Sequence, residues 1–408
     1  MPLEGGNMMG VKRKNRSAVL RALHRQGSAS RKRLAELVRL TPAAITKIVG
    51  EMLSEGLLVE GAAVPGPGAG RREILLGLDP NARCALGILI NVRMAVLSAV
   101  RLDGGVVFSE TLPLPPRADA DEWLPRLAAR LLALSEEHGL PRARLIGLGV
   151  AVRGISSPDE RSVQDSFGAL AQPNLPLCER FEALTGLPVT LANNVRALLA
   201  AQLFLARETD LGSQFFLRCE YGIGAAVSIR DRVWPGDSQQ CSEIGHIPLV
   251  RRGGKLCSCG KTGCLETVAS PAAILEDALA ILSPEATPVL WKIRETKADL
   301  TVEDVLDAAR NGDRGVAAVV DRAVAALAGA LKSVIYLLDP GRIVLYGRLF
   351  DNPYYLARLQ AEMREGVDAR HAVAVELSRF NRRLETQAAG LLTVQRFFDN
   401  GGMPDGTA

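Results

Sequence analysis

The chain has 408 residues, 48% of them hydrophobic, with 49 Lys and Arg against 45 Asp and Glu, seven cysteines and four histidines. That apolar content suits two or three packed domains and excludes a disordered chain, while the odd cysteine count argues against a disulfide framework and for a reducing compartment. Met1 to Arg16 lacks an apolar signal segment and no 18-residue apolar run offers a membrane span, so a cytoplasmic protein without membrane insertion is expected.

Charge is concentrated at the start. Residues 1–78 hold 13 Lys and Arg against 6 Asp and Glu, a cationic excess of the kind that meets a phosphate backbone. Within them, Arg16 to Gln26 places Val19, Leu20 and Leu23 at helical spacing and stops at Gly27. Ser30 is positioned to cap a second helix that buries Leu34, Leu37 and Val38. Thr41 and Pro42 open a third, with Ile45, Ile48, Val49, Met52 and Leu53 as its buried stripe.

The opposite face of that third helix carries Ala43, Ala44, Thr46 and Lys47, where a recognition helix meets base edges in a major groove. Two alanines provide few hydrogen bonds, so methyl contacts and DNA shape would contribute much of the readout. Gly56 to Glu60 and Arg72 to Leu76 flank the Pro/Gly-rich Pro65 to Gly70 as two strands of a wing. A winged helix-turn-helix over residues 1–78 is therefore expected, on a double-stranded DNA operator; a small helical protein-interaction domain is the blander alternative. One short helix reads little sequence, so a homodimer or a dimer of dimers is expected on a pseudo-palindrome.

From Asn81 the pattern becomes α/β: apolar strands in Cys84 to Val100, Val106 to Leu112 and Leu145 to Val152 surround a helix from Asp121 to His138. Further on, Ser242-Glu-Ile-Gly-His246 precedes a loop in which Cys257, Cys259 and Cys264 alternate with Gly260 and Gly263. Three thiolates and the His246 imidazole complete a tetrahedral shell with no open position, which predicts one structural zinc per chain. Buried cysteines without a metal are the alternative, and CxC spacing beside glycines gives them little packing rationale.

This block resembles the ROK family (repressors, open reading frames, kinases), through ExGH at Glu243, Gly245 and His246 and through CxCGxxGCxE at Cys257 to Glu266. Pro173-Asn-Leu-Pro176 and Gly186-Leu-Pro-Val-Thr190 are similar to the family pattern as well. The resemblance implies a two-lobed sugar-kinase and actin-like (ribonuclease H-like) fold, with a first lobe over 79–190, a second over 191–384, and a C-terminal helix at about 385–408 returning to the first. It also implies Glu243, His246 and Glu266 as contacts to sugar hydroxyls, Asn193 and Asn194 as further ligand contacts, and Arg71 and Arg72 after the wing as minor-groove DNA contacts.

The kinase signature, in contrast, has been lost. Where family kinases carry Asp-x-Gly-Gly-Thr to cradle ATP phosphates, this chain has Leu89-Ile-Asn-Val-Arg93. The second phosphate loop reads Glu220-Tyr-Gly-Ile-Gly224, and Leu345-Tyr-Gly-Arg348 keeps one glycine of the usual run. The catalytic aspartate of an Asn-Asp pair is replaced by Asn194, an amide with no useful basicity. Val150-Ala-Val-Arg-Gly154 lacks the turn that closes over the sugar. The expectation is a non-enzymatic transcriptional regulator, a repressor, that responds to a carbohydrate effector. A residual ATP-dependent sugar kinase and a regulator controlled by a phosphotransfer-system protein are the alternatives.

Overall fold

The computed structural model describes residues 8–64, 72–207, 212–368, 371–380 and 383–403. The chain divides into two compact units, Met1–Thr209 with Arg383–Ala408, and Asp210–Arg382. The division thus falls at 209/210, not at 190/191, because the strand and helix after residue 189 complete the first unit.

The first unit begins with a head of three helices, α1 (Met8–Gln26), α2 (Arg31–Val38) and α3 (Pro42–Ser54). Local chemistry starts each of the last two: Ser30 accepts from the Arg33 N–H, and Thr41 accepts from the Ala44 N–H with Pro42 in the first turn. Strand β1 (Ser28–Ser30) joins β2 (Leu58–Val64) and β3 (Glu73–Leu78) in a small antiparallel sheet of order β1-β3-β2. Val19, Leu20, Leu23, Leu34, Ile45, Val49 and Met52 fill the head's core. Leu37, Val38 and Leu53 are only half-buried, because each lies in the last turn of its helix, α2 for the first two and α3 for the third. Pro65–Gly70, the expected wing tip, and Arg71 lie outside the described residues.

The same unit continues as β4 (Cys84–Ile90), β5 (Met94–Arg101), β6 (Val106–Pro113), α4 (Ala120–Glu137), β7 (Leu145–Val152), β8 (Ile155–Ser156), β9 (Val163–Asp165), α5 (Leu177–Thr185), β10 (Val189–Asn193) and α6 (Asn194–Ala206). Its five-stranded sheet has the order β10-β7-β4-β5-β6, with β4, β7 and β10 parallel. Every residue of β4 is buried, as strands covered on both faces require. The C-terminal α14 (Arg383–Asp399) lies on this sheet so closely that a Cβ on Gly149 would sit 1.7 Å from the Ala389 carbonyl oxygen.

The second unit has its own five-stranded sheet, ordered β13-β12-β11-β14-β15. Its elements are β11 (Gln214–Cys219), β12 (Ile223–Ile229), β13 (Arg232–Trp234), α7 (Glu266–Ala269), α8 (Pro271–Ala280), α9 (Pro288–Thr296), α10 (Val302–Arg310), α11 (Arg314–Leu338), β14 (Arg342–Tyr346), α12 (Arg348–Asp351), α13 (Pro353–Arg364) and β15 (Ala374–Leu377). The apolar stripe of α11, from Val316 through Leu327 to Ile335, forms the centre of the unit's core. Among the described residues, no helix is long and apolar enough to cross a membrane.

Candidate functional site

Four ligand atoms, one each from His246, Cys257, Cys259 and Cys264, all lie within 4.8 Å of one another. His246 ends a one-turn helix, and its Nδ1 is 3.4 Å from the Cys257 Sγ, while the Cys259 and Cys264 sulfurs are 3.7 Å apart. The loop is shaped by its backbone: the Cys257 N–H donates to the Lys261 carbonyl and the Gly260 N–H to the Cys257 carbonyl. Gly263 has a φ of +72°, and a Cβ there would sit 1.9 Å from the Val250 oxygen, so no other residue fits that turn. Burial first, and then the neighbouring sulfurs, push the Cys264 thiol up to about 12. A dication is the partner that lets packed sulfurs ionise together, and the donor set, three sulfurs and one imidazole nitrogen, suits a soft four-coordinate metal.

With Nδ1 turned toward the sulfurs, the His246 Nε2 faces Glu243, whose Oε2 is 3.9 Å away. Glu266 opens α7; its Oε2 accepts the Ile223 N–H at 2.8 Å and its Oε1 lies 3.4 Å from the Ser258 hydroxyl. The three residues expected to face sugar hydroxyls are therefore tied, through His246 and Glu266, to the same loop that gathers the sulfurs.

In the first unit, Asn193 caps α6: its Oδ1 accepts from the Val195 and Arg196 N–H groups and its Nδ2 donates to the Gly154 carbonyl. Expected as a ligand contact, it is engaged at both ends of its amide by its own scaffold. Asn194 is 3% exposed and donates through Nδ2 to the Asn91 Oδ1 at 2.9 Å. The Asn91 Nδ2 is buried with no partner among the described residues, an orphan donor at the end of β4. In the sequence Asn91 stands out only as a lost glycine; its pairing with a residue 103 positions away leaves no signal there. Arg196, buried in the first turn of α6, donates to the Ser156 hydroxyl at 2.7 Å and lies 3.8 Å from Glu160, whose carboxyl burial pushes upward.

In the loop after β11 that aligns with the family's second phosphate loop, the Glu220 Oε1 accepts the backbone N–H of Arg348 at 3.1 Å, and the Arg348 Nε lies 3.5 Å from the other oxygen. A carboxylate already occupies the donor at the start of α12.

On the head, Ala43, Thr46, Lys47 and Arg72 are exposed and Ala44 is half-buried. The Thr46 hydroxyl donates to the Pro42 carbonyl at 2.8 Å, which turns it back on its own helix and leaves its methyl as the outward group. Arg71 lies outside the described residues.

Two units built on five-stranded sheets, the first of them carrying a helical head with a small antiparallel sheet, define an α/β protein of the actin-like ATPase class with an N-terminal addition. Residues 86–394 match the ROK family, and the chain belongs to it. NagC of Escherichia coli strain K12, named a DNA-binding transcriptional dual regulator, is 28% identical over 345 residues, 84% of this chain and 82% of its own length. The crystal structure of a ROK family transcriptional regulator, a homologue of the Escherichia coli Mlc protein, matches with a TM-score of 0.79 at 24% identity, covering 96% of this chain and 97% of that one. A ROK family glucokinase from Streptomyces griseus, solved with glucose and AMPPNP, matches at 0.63 and 20% identity over 76% of this chain and 98% of its own. The family match begins at residue 86, after the head.

Proposed function

We propose that this protein is a DNA-binding transcriptional regulator, a repressor acting in the cytoplasm, whose kinase-like domain no longer phosphorylates and instead senses a carbohydrate. The observation that carries the reading is the exposed face of α3, with Ala43, Thr46 and Lys47 outward on a basic head whose second and third helices are capped by Ser30 and Thr41. Lys47, Arg71 and Arg72 would contact the DNA, with Ala43, Ala44 and the Thr46 methyl against base edges. A dimer supplies the second half-site contact that one short helix needs.

Loss of turnover is supported by Glu220, whose charge stands on a backbone donor that a nucleotide phosphate would need, and by Asn194 in the position of the general base. The carbohydrate reading is supported by Glu243, His246 and Glu266 around the sulfur loop and by Asn91 and Asn194 in the first unit. The set of one histidine and three cysteines supports zinc as the metal: a closed tetrahedral shell is structural, and it would fix the His246 tautomer with Nε2 toward a ligand.

The test is selection of DNA from a random-sequence pool by the purified full chain, followed by affinity measurement across salt. Recovery of a two-fold-related sequence with a steep salt slope is the expected result. Binding that never exceeds that to unselected DNA would remove the reading.

A further inference from the structure

We propose that α6 acts as a rod that carries the state of its Asn194 end to the DNA-binding head, with His24, Phe204 and Phe398 as the joint. Asn194 and Phe204 lie at opposite ends of the same helix, roughly 15 Å apart along its axis. All but three of its thirteen residues are buried, so the helix is held on every side and moves as one body if it moves at all.

At the far end, the Phe204 carbonyl oxygen is 2.8 Å from the His24 Nε2, and the two rings stack with centroids 3.9 Å apart at 25°. Phe398 of α14 closes the cluster edge-on, 5.9 Å from His24 and 5.6 Å from Phe204. His24 belongs to the last turn of α1, is 6% exposed, and has its Nδ1 buried without a partner among the described residues. A neutral ring that donates from Nε2 fits this surrounding, so its hydrogen bond to Phe204 is directional and single. A shift of about 1 Å along α6 would stretch that bond past hydrogen-bonding range and unstack the rings.

Beyond the joint, the path continues to the DNA-reading helix. Arg16, fully buried about two turns before His24 on α1, donates through Nε to the Gly401 carbonyl at 2.7 Å and through Nη1 to Glu55, the C-cap of α3, at 2.9 Å. Arg21 pairs with Asp399, and Gln395 of α14 donates to the Ala200 carbonyl midway along α6 at 3.0 Å. Helices α6 and α14 are thus tied to each other and both end on α1, and α1 is tied through Arg16 to the end of α3. A change at Asn194 has a continuous packed route to the position of the recognition helix.

The function of this rod rests on the reading of α3 as the DNA-contacting helix and Asn194 as part of the effector site, but its mechanics do not. The test therefore needs no effector. Amide hydrogen exchange is measured on the full chain in wild type, Asn194→Leu, Phe204→Leu and the double variant, alongside affinity for the DNA selected by wild type. Asn194→Leu is expected to change exchange in α1 and α3 by about fivefold or more, a coupling of ordinary allosteric size, and to change it by less than about twofold once Phe204→Leu is present. His24→Gln, which keeps the donor but not the ring, serves as the joint variant if Phe204→Leu does not fold. Equal responses of α1 and α3 in both backgrounds, or no response while residues 84–101 do respond, would overturn the rod. Failure to select any DNA would overturn the regulator reading alone, since the exchange data still judge the mechanics.

Discussion

Glu220 and Arg348 face each other across 128 positions of sequence, with the carboxylate of one accepting the backbone N–H of the other at 3.1 Å. The same contact satisfies a helix-start donor that would otherwise be open and places a negative charge on it. On the proposed reading, this internal anion stands where a nucleotide phosphate would have to bind.

From that contact, ATP is expected to leave the thermal midpoint of the wild-type protein unchanged within about 1 °C at millimolar concentration, since a ligand stabilises only by binding the folded state. Glu220→Thr should admit nucleotide and produce a measurable upward shift, still without sugar phosphorylation, because Asn194 supplies no base. ATP-dependent turnover in a panel of sugars by the wild type would refute the loss of activity.

Metal content is the second expectation. Freshly purified protein should contain about one zinc per chain, and Cys264→Ser should lower both metal content and the stability of the second unit. Structural zinc sites are worth on the order of 10 kcal/mol to small domains, so chelation should cause a shift of many degrees. Elemental analysis settles the stoichiometry.

On the head, Lys47→Ala is expected to weaken binding to the selected DNA by roughly tenfold and to flatten the salt slope by about one if its contact is to phosphate. Arg72→Ala should act in the same direction. Fluorescence anisotropy at several salt concentrations checks both, and unchanged affinity and slope would place the DNA on another face.

Burial, foremost, holds the His24 imidazole down at about 4 from 6.5, with Arg207 and Arg21 adding to the effect and the Phe204 carbonyl and Asp103 opposing it. The unfolded chain binds this proton more readily, so the contribution is complete above about pH 6.5 and is lost as pH falls toward 4, amounting to about 3 kcal/mol in all. Stability of wild type minus that of His24→Leu should therefore decline through that window and be flat above it. Denaturant titrations at about pH 4.5, 5.5 and 7.5 measure the difference.

Glu243→Ala should abolish the response of DNA binding to an active carbohydrate while leaving ligand-free DNA affinity and zinc content intact, because it removes a hydroxyl acceptor and no metal ligand. The measurement is a titration of wild type and variant with a panel of D-xylose, D-glucose, N-acetylglucosamine and their phosphates. A wild-type response in the variant would move the pocket elsewhere.

What the sequence alone determined was chemistry at short range. Thr41 before Pro42, Ser30 before Arg31 and the Cys257–Cys264 spacing each act through neighbours a few residues away, so caps, apolar stripes and the sulfur loop could be read without coordinates. Family motifs did the same for the fold class. Tertiary structure alone decided the long-range pairings. Asn193 turned out to be held as a helix cap against Gly154, Asn91 was brought under Asn194, and His24 of the head was brought onto Phe204, 180 residues further on. Side chains such as these carry no periodic signature, because their partners are set by how strands and helices close on one another and not by their position in the chain.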